Sequence, residues 1–81
     1  MADRPDFPAD KLRAAAPGDR DAHTTIDALD REMTSDRPGS ASIKSNVEKL
    51  RGHASLGTLI AAWFEDPRTQ LFIEELTAAG L

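Results

Sequence analysis

Reactive side chains are scarce in this chain, and those present stand far apart. The two histidines, His23 and His53, are separated by a Pro-Gly break at Pro38-Gly39 and a whole helix-length stretch. A general base needs a partner that orients it within hydrogen-bond reach, and the spacing supplies none. His53 therefore reads as a solvated residue in a turn. There is no cysteine, and no His/Asp/Glu group has metal-ligand spacing. Glu65-Asp66 and Glu74-Glu75 have the composition of a carboxylate pair, but a helix terminus and a solvated helix face explain them more simply. Glycine-rich phosphate loops and nucleophile motifs are missing. The expectation is a protein that is not an enzyme, with no catalytic residue, metal or cofactor.

Two other groups of residues are suited to binding. Lys44, Lys49 and Arg51, with His53 and the turn from Gly52 to Gly57, have the chemistry to meet DNA phosphates. Glu48 interrupts that group. A helix-turn-helix would need polar or basic residues on its second helix. Ser55, Thr58, Ala61, Ala62 and Glu65 occupy the outer side there, without Arg or Lys, which describes a plain helical hairpin. The apolar candidates are Trp63, beside Phe64, and Phe72. An aromatic at stripe spacing is either core or an interface hot spot, where tryptophan is enriched.

These residues must be positioned by helices. "SIKSNVEKLRG" sets Ile43, Val47 and Leu50 at i, i+4, i+7, with Ser42 as a candidate N-cap and Gly52 as a candidate C′ residue. "SLGTLIAAWFED" carries a full apolar stripe of Leu56, Leu59, Ile60, Trp63 and Phe64, with Ser55 as its candidate cap. Asp66-Pro67 ends that helix and starts another, because proline keeps its predecessor out of the α region and suits the first helical position. Leu71, Phe72, Ile73 and Leu76 supply the apolar face of the last helix, which Gly80 closes, with Leu81 placed for the accompanying hydrophobic contact. Upstream, "TTIDALDREM" puts Ile26, Leu29 and Met33 at i, i+3, i+7, with Thr24 or Thr25 as a cap. So short a helix is not stable alone in water. It docks either on the chain's own C-terminal helices or in a partner's groove.

At 81 residues and 8.8 kDa there is room for one small domain. Residues 1–41 hold six Lys/Arg against nine Asp/Glu, four of the five prolines and few large apolar residues. Such a stretch buries too little surface to offset its ordering entropy. The expected fold is all-α: a largely disordered arm over 1–41 with two short helix-prone pieces, one of them an amphipathic helix near 24–33, then a compact helical domain of three to four helices over 42–81. The net charge of −4 argues against wholesale nucleic-acid binding. No apolar run approaches the roughly 20 residues that span a bilayer, and "MADRPDFPADKLRAAAPGDRD" has no apolar core of a signal peptide. No membrane association and a cytoplasmic location are expected.

The stretch "LIAAWFEDPRTQLFIEELTAAGL" resembles the end of the helix-hairpin-helix region of bacterial NAD-dependent DNA ligases. There, a helix ending in two aromatics leads through a short acidic turn into a helix closing on Ala-Gly and an aliphatic residue. Trp63-Phe64, Ile73, Leu76 and Ala79-Gly80-Leu81 match that layout, and "NVEKL" resembles the helix before the last hairpin. The resemblance implies a DNA-associated accessory protein. The chain departs from it at "RGHASLG", where the family carries a Gly-x-Gly turn whose amides meet phosphates.

A forty-residue helical unit is marginal on its own, so these helices should recruit the 24–33 helix, self-associate or fold against a partner. The expected role is a non-catalytic protein-binding module that regulates or adapts a larger protein, or pairs with a second copy, through Ile26, Leu29, Met33, Trp63 and Phe72. The DNA reading through Lys44, Lys49, Arg51 and His53 comes second, and a structural or assembly subunit third.

Overall fold

The N-terminal half carries two packed helices where the sequence predicts a largely disordered arm with short helix-prone pieces. The computed structural model describes residues 4–81, and these form five α-helices and no strand: α1 Ala9–Ala15, α2 Arg20–Thr34, α3 Ser40–Arg51, α4 Gly57–Glu65 and α5 Pro67–Ala78. Residues 1–3 lie outside the described residues. The expectation of a largely disordered arm is corrected for residues 4–41, which hold α1, α2 and the start of α3.

The cap that makes the difference is Asp19. Pro17 and Gly18 turn the chain, Gly18 with φ of 79°, and the Asp19 carboxylate then accepts the Ala22 amide at 3.0 Å. Helix α2 thereby starts one turn before Thr24. That turn adds Ala22 to the stripe of Ile26, Leu29 and Met33, and all four are buried. Helix α1 lays Ala9 and Leu12 on α2, both buried. Arg13 fixes the pairing by donating to Asp27 at 2.6 and 3.1 Å.

Helix α3 is the hub, packing on α2, α4 and α5. Its cap is Gly39 and not Ser42, and Gly52 ends it in ordinary right-handed backbone. Gly57 opens α4 where a Cβ would lie 2.9 Å from the Arg51 carbonyl oxygen, so only glycine allows so close an approach. Leu56, with no side-chain cap bond, takes the place expected of Ser55. The α4–α5 junction follows the sequence reading: Asp66 accepts the Arg68 amide at 2.9 Å and Pro67 is the first helical residue. So does the end of α5. Gly80 has φ of 79°, its amide reaches Thr77 O at 3.1 Å, and the Leu81 amide reaches Leu76 O at 2.8 Å, the bond pair of a Schellman motif. One residue is misplaced by the periodicity. Leu71 is 48% exposed, because α5 turns Phe72, Ile73 and Leu76 inward instead.

A single core runs through the described residues, from Ala9 and Leu12 to Phe72 and Leu76.

Candidate functional site

Before α1, five residues cross the molecule without regular structure: Arg4-Pro5-Asp6-Phe7-Pro8. Two are prolines, whose rings restrict φ; Pro8, with φ of −82° and ψ of 60°, turns the chain into α1. Arg4 and Phe7 each precede a proline and are kept from the α region. Up to Phe7 the segment is thus biased toward extended backbone by its own chemistry, and it lies as a strap from the end of α2 to the face of α4. At one end Arg4 donates to the Met33 carbonyl at 2.8 Å. That carbonyl belongs to the last turn of α2, where backbone acceptors are unpaired and a cation is favoured. In the middle, the Trp63 indole N–H donates to the Asp6 main-chain carbonyl at 2.8 Å. Phe7 meets the Trp63 ring edge-on, with centroids 5.0 Å apart and planes at 73°, an arrangement aromatic pairs prefer. Between the strap and the end of α2 runs a groove of about 560 Å³, bordered by Asp30, Met33 and Thr34.

This face contains two of the five expected contact residues. Trp63 is 8% exposed beneath the strap, and Met33, also buried at 3%, borders the groove at its edge. Ile26, Leu29 and Phe72 are wholly inside the core, beyond reach of a partner in the folded chain. Sequence reasoning missed Arg4 and Phe7, the strap residues that complete the site. The signal was the pair of prolines bracketing an aromatic, "RPDFP".

The basic residues divide between two flanks. At 100° per residue, Lys44 and Arg51 share one side of α3 with Glu48, whose carboxylate is 3.9 Å from Arg51. Lys49 lies on the other side, where it borders a groove of about 270 Å³ with Asp19, Asp21, Thr25 and His53. That neighbourhood is acidic as much as basic.

His53 is also not a free loop residue. Its Nε2 donates to Asp19 Oδ2 at 2.7 Å, and its Nδ1 accepts the Ser55 amide at 3.1 Å. The Ser55 N–H assigns the tautomer, since Nδ1 must be the unprotonated nitrogen to accept it. With both ring nitrogens engaged, no lone pair is available to take a proton from a substrate. The pair clasps the start of α2 to the α3–α4 turn. The Asp19 carboxyl sits below the usual carboxylate range, held there first by the Ala22 amide and then by His53. His23 has a parallel task, its Nε2 donating to Ala16 O at 2.9 Å past the end of α1. No three or more His, Asp or Glu side chains among the described residues converge as a metal site would require, and no helix among them is long and apolar enough to cross a membrane.

The chain matches no protein-family model, no curated protein and no solved structure.

Proposed function

We propose that this protein is a non-catalytic binding module whose partner docks on the face formed by Trp63, Met33 and the end of α2. The supporting observation is the bond from the Trp63 indole to the Asp6 main-chain carbonyl. A tryptophan whose single donor is matched to the backbone of an extended segment is equipped to hold a peptide by features any sequence offers. Aromatic anchors of this kind carry a large share of interface energies. The helix-hairpin-helix reading would need Lys44, Lys49 and Arg51 to act together, and their placement on two flanks of α3 favours the protein-binding reading over it.

Site-directed photo-crosslinking in cells tests this. A photoreactive residue at Asp30 or Thr34, on the rim of the groove, should yield one discrete adduct, and the same residue at Lys44 or Ser55 should not. Equal adducts from all four positions, or none from the groove, would remove the reading.

A further inference from the structure

Resting on that reading, we propose that the partner is an extended, proline-rich segment, and that Arg4–Pro8 is the chain's own competing version of it. The strap specifies the chemistry because each of its contacts uses a feature that a second peptide can supply. The guanidinium of Arg4 satisfies a carbonyl at the end of α2, beside Asp30, where positive charge is favoured. The Asp6 carbonyl, not its side chain, meets the indole. Carbonyls of a polyproline II segment make no internal hydrogen bonds and are free to be read this way. Phe7 supplies the ring that stands on Trp63. Arg4 and Phe7 are kept from the α region by the prolines that follow them and Pro5 has its φ fixed, while Pro8, with ψ of 60°, turns the chain into α1. A ligand with the same order of Arg, Pro, any residue, aromatic and Pro therefore loses little conformational freedom on docking.

The strap is also displaceable. Its free end is held by two hydrogen bonds and by Phe7 packing on Trp63, its other end is tied to α1 through the Phe7 and Pro8 carbonyls, and the side chains of Arg4 and Asp6 remain exposed. While it is seated, the apparent affinity for any competitor falls by the fraction of time the face stands open. The strap thus sets a threshold that a partner must overcome.

Trp63 is the sole tryptophan, so its fluorescence reports the face directly. The probe is an acetylated, amidated peptide of residues 4–9, titrated into the full wild-type chain and into Phe7→Ala and Arg4→Ala. Phe7→Ala should shift Trp63 emission to the red, and the peptide should reverse the shift. Its affinity for that variant should exceed its affinity for wild type by about tenfold or more. Arg4→Ala, which leaves Phe7 in place, should move both readouts the same way by less. A control peptide with both prolines changed to alanine should bind several-fold more weakly.

Equal binding of the control would overturn the proline-rich class while leaving the binding-module reading intact. The same holds if Trp63 opens in a helical Phe7→Ala chain and the probe does not bind. Trp63 emission unmoved in both variants would overturn both readings, since the face would never become available. Concentration-dependent dimers of wild type that vanish in Phe7→Ala would make the occupant a second copy and overturn a separate partner.

Discussion

The same substitution, leucine to alanine, should have opposite consequences at two positions that the sequence ranks the other way round. Leu12 stands alone in a stretch expected to be loose, and Leu71 stands in the apolar run of the last helix. In the structure Leu12 is 0% exposed between α1 and α2, and Leu71 is 48% exposed on the outer side of α5. Truncating Leu12 removes three buried carbons, about 2.4 kcal/mol of transfer free energy at about 0.8 kcal/mol each. The residual cavity brings the expected cost to about 3–5 kcal/mol. Leu71→Ala should stay within about 0.5 kcal/mol of wild type, as surface substitutions do. A domain of this size has a total stability of only about 4–12 kcal/mol, so the first change is severe and the second nearly silent. Urea unfolding followed by Trp63 fluorescence and by helical circular dichroism reads both. With a slope of about 1 kcal/mol/M, the Leu12→Ala midpoint should fall by about 3 M or more, enough to leave the variant partly unfolded in buffer. A Leu12→Ala midpoint within 0.5 M of wild type, or a larger loss in Leu71→Ala, would refute the packing of α1 on α2.

Gly57→Ala should destabilise the chain by about 1–3 kcal/mol, the range for overpacking, because its Cβ would fall 2.9 Å from the Arg51 carbonyl oxygen and backbone would have to move; a thermal midpoint equal to wild type would contradict this. Asp19 predicts a pH dependence with a definite sign. Its folded-state pKa lies below the ordinary 3.8, so its contribution is present above that value and is lost as pH falls through the lowered one. Asp19→Asn keeps a competent N-cap but removes the charge facing His53, with Asp21 and Lys49 left beside it. The variant should be less stable than wild type above about pH 5 and converge on it near pH 2, as read from urea midpoints across that range. A constant gap at every pH would show that the carboxylate charge is not what His53 holds.

What could be read from the sequence was what local chemistry determines. Asp66-Pro67 and Gly80-Leu81 were legible because a cap, a fixed φ and a left-handed glycine act within a few residues, and both sites have the expected bonds. The stripe of Ile26, Leu29 and Met33 was legible as a helix, but not the side it faces. Periodicity cannot distinguish a partner's groove from the chain's own α3. Helix α1 was hidden because its seven residues offer one large apolar side chain, and its stability comes from Arg13–Asp27 and Leu12 meeting α2. Leu71 misled for the converse reason. A run of three apolar residues exceeds the arc one helix face can bury, and packing against α3 and α4 chose Phe72 and Ile73. The Asp19–His53 clasp joins residues far apart in the chain, and no local rule reaches that far.

The marginal size of the C-terminal helices suggested an interaction role, and the fold removes most of that argument. The missing core is supplied internally: α2 packs along α3, and α1 covers α2. A chain that completes its own core has no need of a partner to stay folded. The case for binding therefore moves from stability to geometry. Ile26, Leu29 and Phe72 are committed to the core, whereas Trp63 meets Asp6 and Phe7 of the strap, through one hydrogen bond and an edge-on ring, with Arg4 anchoring the strap's far end. Of all the contacts that bury a large side chain here, these are the ones that an external peptide can reproduce atom for atom. The difference is physical: replacing the strap disturbs only the cap of α1, where Pro8 O accepts the Leu12 amide at 3.0 Å, and replacing α1 or α2 would open the core.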